Sequence, residues 1–365
     1  MGIAEHPRIA YLSDTRLPGG EPGLAYAALA AQGFVEAGAD VRLVVRRTGR
    51  GPASHALEAA TGIVLPDVQA IRAPRLLGSR RLFYRLAYRR LLRSDRNAIL
   101  FRDAGFLPRA IRLRRRGLRV FFESHEYRGD DRRVRRWLPE VHGVFCTSRP
   151  QAEHYRSQFP GLEVDVALSG TRFPRPNDRH GFTRRLGYFG SIHPHYPLDV
   201  VMEGLARCRT KDVRLLVVGA RDESQREQIE RTAAKLGLTG RVEVHGWMLP
   251  AEVEEQRARV DVGVIPLARG FARQAHTPFK LVECLSTSLP TIATRSEVVT
   301  AYITDGREGL LVDGTAESWA AAIDRMYSDF DAYRAMAGQA LARARELTWT
   351  QRAVRMLERI GAALH

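Results

Sequence analysis

Short apolar runs, separated by stretches of helical periodicity, recur along the whole chain. In the first half, residues 8–12, 41–45, 99–100, 120–122 and 144–146 read as strands, and the alanine-rich stretch 23–37 as a helix. The runs are nearly continuous rather than alternating, as in strands covered on both faces. Strand and helix in alternation predict an α/β architecture built on a parallel sheet. Residues 172–185 (RFPRPNDRHGFTRR) break the rhythm with prolines, a glycine and charges, which suits a linker. The alternation then restarts, with strands expected at 186–189, 213–218, 242–244, 260–266, 291–293 and 310–312. Amphipathic helices follow from 316, and the last stretch, 349–364, is a helix with no strand after it. The 365 residues thus suit two domains, 1–175 and 176–346, and a terminal segment 347–365.

Composition narrows the class. Hydrophobic residues make up 44% and charged residues 27%, as in a globular protein. No run approaches the roughly 20 apolar residues of a membrane helix. Residues 1–8 lack the layout of a secretory signal. Cys146, Cys208 and Cys284 lie far apart, with no metal-ligand spacing, and fit buried thiols in a reducing compartment. The expectation is a cytoplasmic protein without a metal site.

Charge adds a second feature. The formal net charge is +16, carried almost wholly by arginine, since Lys211, Lys235 and Lys280 are the only lysines. Residues 1–175 hold 31 basic against 17 acidic side chains, and the remainder 26 against 24. The surplus belongs to the first domain and draws anionic partners. Residues 80–96 set Leu82, Phe83, Leu86, Ala87 and Leu91 at helical spacing among arginines, and 112–119 and 128–137 add further arginine clusters. Such a helix either turns its apolar stripe to the core or lies peripherally on an anionic membrane. No nucleic-acid module accompanies it, so no nucleic acid is expected as a partner.

Open parallel sheets bind ligands beyond the carboxyl ends of their strands. Gly190, Gly219 and Gly246 each follow an expected strand, where glycine permits a close backbone approach. The sharpest signal is HTPFKLVECLSTSLPTIAT, residues 276–294. Thr277 reads as an N-cap and Pro278 as the first helical residue, leaving the amides of Phe279 and Lys280 outward as an anion site. A lysine in this first turn costs a few tenths of a kcal/mol against the helix dipole, a sign that a bound diphosphate reverses. Glu283 shares the face of Lys280 and could accept from a ribose diol. The alternative is a plain Lys280–Glu283 pair on a solvated helix.

The pieces LGYFGSI (186–192), LLVVGAR (215–221), VEVHGWM (242–248), VDVGVIPL (260–267), TPFKLVE (277–283) and GLLVD (309–313) stand in an order and spacing that resemble the GT-B glycosyltransferases, specifically glycosyltransferase family 4, the group 1 glycosyl transferases. In the first half LPGGEPGLAYAALAAQGFVEAGADVRLVV (17–45) is similar to the family's opening loop, helix and strand, and LTW (347–349) to the start of its terminal helix. The resemblance implies two facing Rossmann-like, doubly wound domains, with the last helix crossing back to the first. It implies transfer of a sugar, with retention, from a UDP- or GDP-linked donor, with no further cofactor. The acceptor, held mainly by the first domain, would be a glycan, a lipid-linked sugar or a small molecule.

The same resemblance gives residues their roles. His125 (in FFESHEY), Lys280 and Glu283 become the catalytic candidates: His125 facing the sugar, Lys280 on the diphosphate with the amides of Leu281 and Val282, and Glu283 on the ribose. Gly20 would approach the donor phosphate from the first domain. Gly190, Ser191, His193, Gly219 and Arg221 would line the donor site, with Gly246, Trp247 and Met248 by the base and Thr277, Pro278 and Phe279 opening the helix. Three features depart from the pattern: the first acid, a basic pair and a glycine. Ala275 replaces the first glutamate of a pair, Ser191 an arginine, and Ser288 a glycine; Tyr196 with Pro197 stands near an expected lysine. Neutralising the leaving group then falls to Lys280, helix-end amides and His193, Arg221 or Arg273. A sugar-nucleotide 2-epimerase of the same build, or a non-catalytic scaffold, would share the fold.

Overall fold

The computed structural model describes residues 7–19, 22–72, 79–172, 174–176, 180–268 and 278–363. Gly20, Arg273, Ala275 and Thr277 lie outside the described residues. The chain forms two compact units: residues up to Gly170 with those from Thr348 onward, and the described residues between Thr171 and Leu347.

The first unit holds a seven-stranded sheet of β1 (Arg8–Leu17), β2 (Asp40–Arg47), β3 (Val68–Arg72), β4 (Ala98–Phe101), β5 (Arg119–Ser124), β6 (Gly143–Cys146) and β7 (Val164–Val166). Its order is β3-β2-β1-β4-β5-β6-β7, with every pair parallel. Sheet growth reverses between β1 and β4, the switch point at which such sheets open a crevice. The sequence pattern hid β3 and β7, because both are edge strands: β3 buries only Ile71, and β7 has three residues. It also ended β1 at Leu12, whereas the strand runs on through polar Ser13, Asp14 and Thr15 across a register shift.

The arginine-rich helix Ser79–Leu91 buries Phe83, Tyr84, Ala87 and Leu91 in a core with Phe101, Phe106 and Phe122. Most of its stripe therefore faces the interior, while Leu82 is 39% exposed. Among the described residues no helix is long and apolar enough to cross a membrane. All three cysteines are buried free thiols.

The helix Trp349–Ala362 belongs to the first unit. Two glycines let it approach. A Cβ at Gly33 would stand 2.5 Å from the Trp349 carbonyl oxygen, and one at Gly170 2.6 Å from the Trp349 amide nitrogen.

The second unit repeats the plan with β8 (Arg185–Phe189), β9 (Arg214–Ala220), β10 (Val242–Gly246), β11 (Val262–Ile265), β12 (Thr291–Thr294) and β13 (Gly309–Val312). The order is β10-β9-β8-β11-β12-β13, again parallel throughout, with the switch between β8 and β11. Leu186, Tyr188, Leu215 and Val217 face one core with Trp319 and Tyr333, while Phe189, Leu216 and Val218 face another with Val260, Cys284 and Leu289. Burial on both faces explains the unbroken apolar runs. Ser288 takes a left-handed φ of 53°, a conformation that glycine adopts more readily, in keeping with the glycine the resemblance places there. Its hydroxyl donates to the Arg175 carbonyl at 2.5 Å, holding the turn.

Candidate functional site

At the carboxyl end of β8 the backbone turns at Gly190, with φ 132°, and its amide donates to the Val218 carbonyl at 2.9 Å. Gly219 follows the main run of β9 with φ 125°. A Cβ at Gly219 would stand 2.3 Å from the Gly190 carbonyl oxygen, and one at Gly190 3.2 Å from Cε of Lys280. These glycines are demanded by close approach, not by the turns alone. Gly219→Ala combines a disfavoured φ with a backbone collision and should cost at least about 3 kcal/mol of stability. Chemical denaturation measures it, and a loss below about 1 kcal/mol would mean that the two strand ends are not packed in this way.

The helix Phe279–Ser286 starts one residue later than expected. Pro278 is its N-cap, with φ −63° and ψ 106° and no side-chain cap bond, and not its first helical residue. The ring fixes φ at a value that serves both states, and the extended ψ settles that Pro278 precedes the helix. A second expectation also changes. The Leu281 amide donates to the Pro278 carbonyl at 2.9 Å, and the side chains of Leu281 and Val282 are buried. That amide closes the first turn and does not point outward. Phe279 is half-buried at the helix start.

Lys280 is buried, and it does not form the expected solvated pair with Glu283. Its Nζ donates to the Tyr188 hydroxyl at 2.7 Å and lies 3.2 Å from the centroid of the Tyr196 ring. The Tyr188 hydroxyl in turn donates to the Ser191 carbonyl at 2.7 Å. An ammonium against an aromatic face gains cation–π attraction, but this does not replace the water it has lost. Burial pushes the Lys280 pKa down to about 7, with Glu283 and Cys284 pulling weakly the other way. Tyr196, near the place of the expected lysine, thus becomes a wall for the lysine that remains.

Glu283 is instead engaged by Arg257 of the helix Pro250–Ala258, whose Nη2 donates to Oε2 at 2.9 Å. Sequence reading missed Arg257 and Tyr188. A lone arginine in an amphipathic helix carries no periodic signal, and a tyrosine in a buried strand reads as core.

The loops after β8, β9 and β10 carry the remaining candidates of this unit. Ser191 and His193 are exposed, and the His193 Nδ1 accepts from the His195 amide at 3.2 Å. Arg221 is exposed and bonded to Asp222 at 3.1 Å. Gly246 ends β10, Trp247 is 60% exposed, and Met248 packs against the Phe189–Val218 core.

In the first unit, His125 follows β5 and stays inside a local network. Its Nε2 lies 3.2 Å from Oε1 of Glu123, and its ring meets that of Tyr26 edge-on at 4.4 Å. Glu123 is fully buried and accepts from Tyr11 at 2.7 Å, Tyr26 at 2.8 Å and Arg352 at 2.7 Å. Burial opposes that charge, but Arg352, His125 and Arg102 outweigh it and hold the Glu123 carboxyl well below its usual range. Burial, with Arg102 nearby, pushes His125 down to about 4, so its imidazole is neutral at physiological pH. Among the described residues no group of three His, Cys, Asp or Glu side chains is arranged to hold a metal.

A doubly wound sheet with a buried lysine, tight glycines and a helix start near its switch point has the geometry in which such sheets hold ligands. Comparison with known proteins narrows this. Residues 183–329 match the family model described as Glycosyl transferases group 1. D-inositol 3-phosphate glycosyltransferase of Corynebacterium urealyticum is 28% identical over 214 residues, 54% of this chain and 49% of the relative. Lipopolysaccharide core biosynthesis glycosyltransferase LpsE of Rhizobium meliloti is 32% identical over 176 residues, 47% of each chain. The chain thus spans about half the length of these curated relatives. Anabaena HepE, solved with UDP and glucose, superposes with a TM-score of 0.73 at 15% identity, covering 98% of this chain and 100% of that one. The fold is GT-B, and the second unit carries the group 1 glycosyltransferase match.

Proposed function

We propose that the protein transfers a sugar from a nucleotide diphosphate sugar to an acceptor, with the nucleotide held by the second unit. One observation carries this reading: a buried ammonium, Lys280, at the carboxyl end of β8, with no carboxylate in ion-pair distance among the described residues. A buried cation without a counter-ion is costly, and an incoming diphosphate would relieve the cost. Negative charge grows on that diphosphate as the sugar departs, so a charge fixed beside it stabilises the transition state more than the ground state.

Glu283 would accept from the ribose, Trp247 and Met248 would flank the base, and Gly190 and Gly219 would let the phosphates approach the backbone. The neutral His125 imidazole would contact the sugar rather than protonate it. UDP in the HepE structure supports a nucleotide-linked donor, and the glycosyltransferase names of the sequence relatives support sugar transfer. Retention of configuration is part of the same proposal.

Thermal stabilisation by a panel of UDP- and GDP-sugars tests the reading, because a ligand that binds only the folded state raises the apparent stability. At least one donor should raise the melting temperature, and adding the right acceptor should release free nucleoside diphosphate. No stabilisation by any member at millimolar concentration would defeat the proposal.

A further inference from the structure

Glu283 is only half of a charged device, and the other half is in an unusual setting. The Arg257 side chain is 5% exposed, whereas that of Glu283 is 38% exposed. The Arg257 guanidinium lies over the Phe189 ring at 5.2 Å, so packing as well as charge fixes its plane. Its Nη2 reaches Oε2 of Glu283, and its Nε has no hydrogen-bond partner among the described residues. Oε1 of Glu283 is left unbonded among those residues.

A partly exposed glutamate on a helix surface ordinarily samples several rotamers. Tying one oxygen to a rigid, buried cation removes that freedom and aims the other oxygen in one direction. Buried supports of this kind set the orientation of the groups that contact a ligand. A carboxylate oxygen accepts hydrogen bonds, which is what two vicinal hydroxyl donors require.

We propose that Arg257 is a positioning residue that fixes Glu283 to receive the ribose diol, and so sets the preference of the site for ribonucleotides over deoxyribonucleotides. The inference rests on the nucleotide-sugar reading and assigns Arg257 no contact with the reacting atoms.

The test compares dissociation constants for UDP and GDP with those for their 2′,3′-dideoxy analogues, by calorimetry on the full chain. A hydrogen bond to a charged group is worth roughly a 10- to 100-fold preference, which the wild type should show for the ribonucleotide of its base. Arg257→Met should weaken the ribonucleotide, leave the dideoxy analogue unchanged and reduce the preference to below about threefold. Arg257→Lys should restore part of the preference, since a lysine at this position can still reach the carboxylate. Glu283→Gln should show the same collapse with the arginine intact, which keeps the test decisive if Arg257→Met folds poorly. An unchanged ratio in Arg257→Met, or equal weakening of both nucleotides, overturns the proposal. Failure of the wild type to bind either nucleotide defeats instead the functional reading on which it rests.

Discussion

Lys280→Met is expected to cut sugar transfer by about 10²–10³-fold, the usual effect of removing one charge-stabilising group from an acyl- or phosphate-type transition state. The same change should leave the fold as stable as before or more so at neutral pH, because it replaces a buried ammonium by a side chain of similar length. A merely structural lysine would show the opposite pattern, losing stability first. The pH dependence adds a second signature. Burial holds the pKa of Lys280 at about 7 in the fold, against an ordinary value of 10.5. Between those values the unfolded chain binds more protons than the folded one, so this group makes stability rise with pH across that window. Lys280→Met should lack that slope. Donor affinity runs the other way, since only the protonated lysine attracts the diphosphate. Binding of a nucleotide sugar, whose diphosphate diester has no proton to lose here, should weaken about tenfold or more from pH 6 to pH 8.5 in the wild type. It should stay nearly flat in the variant.

Glu123→Ala is expected to lower the unfolding free energy by about 3–5 kcal/mol, the usual cost of removing one partner of a buried ion pair. The partner left behind is Arg352, whose side chain is 4% exposed. Tyr11 and Tyr26 lose their acceptor at the same time. Because Arg352 lies on the terminal helix, the variant should release that helix first, giving early hydrogen exchange over Trp349–Ala362. Removing both charges, as Glu123→Gln with Arg352→Gln, should cost clearly less than the sum of the single changes. The sign with pH follows from the depressed carboxyl of Glu123. Its contribution is complete above the unfolded value of 4.5 and fades as pH falls toward the folded value. A loss under 1 kcal/mol in Glu123→Ala would show that this network does not hold the terminal helix.

The sheets of both units were largely legible because their central strands are buried on both faces and therefore read as unbroken apolar runs. In the second unit five of the six strands announce themselves in this way, and edge strand β10 (VEVHG), with no buried residue, is the exception. What stayed hidden was set by tertiary neighbours. Edge strand β3 buries one residue, and polar Ser13–Thr15 lie in the register shift before β1 pairs with β2 again at Arg16 and Leu17. At the site, the segment around Lys280 and Glu283 could be picked out from residue types and spacing. Its partners could not. Tyr188 sits 92 residues away from Lys280 and Arg257 26 residues away from Glu283. Local spacing suggested that Lys280 and Glu283 pair with each other, and the fold gives each a different partner. The N-cap moved by one residue because the φ of proline suits either position and only its extended ψ decides between them.

The central claim is that the second unit binds a nucleoside diphosphate through Lys280. Calorimetric titration with UDP and with GDP tests it most directly, run on the wild type and on Lys280→Met at pH 6.5. Saturable binding of one of the two, at least tenfold weaker in the variant, is the predicted result. No binding of either at millimolar concentration, or equal affinity in both proteins, would contradict it.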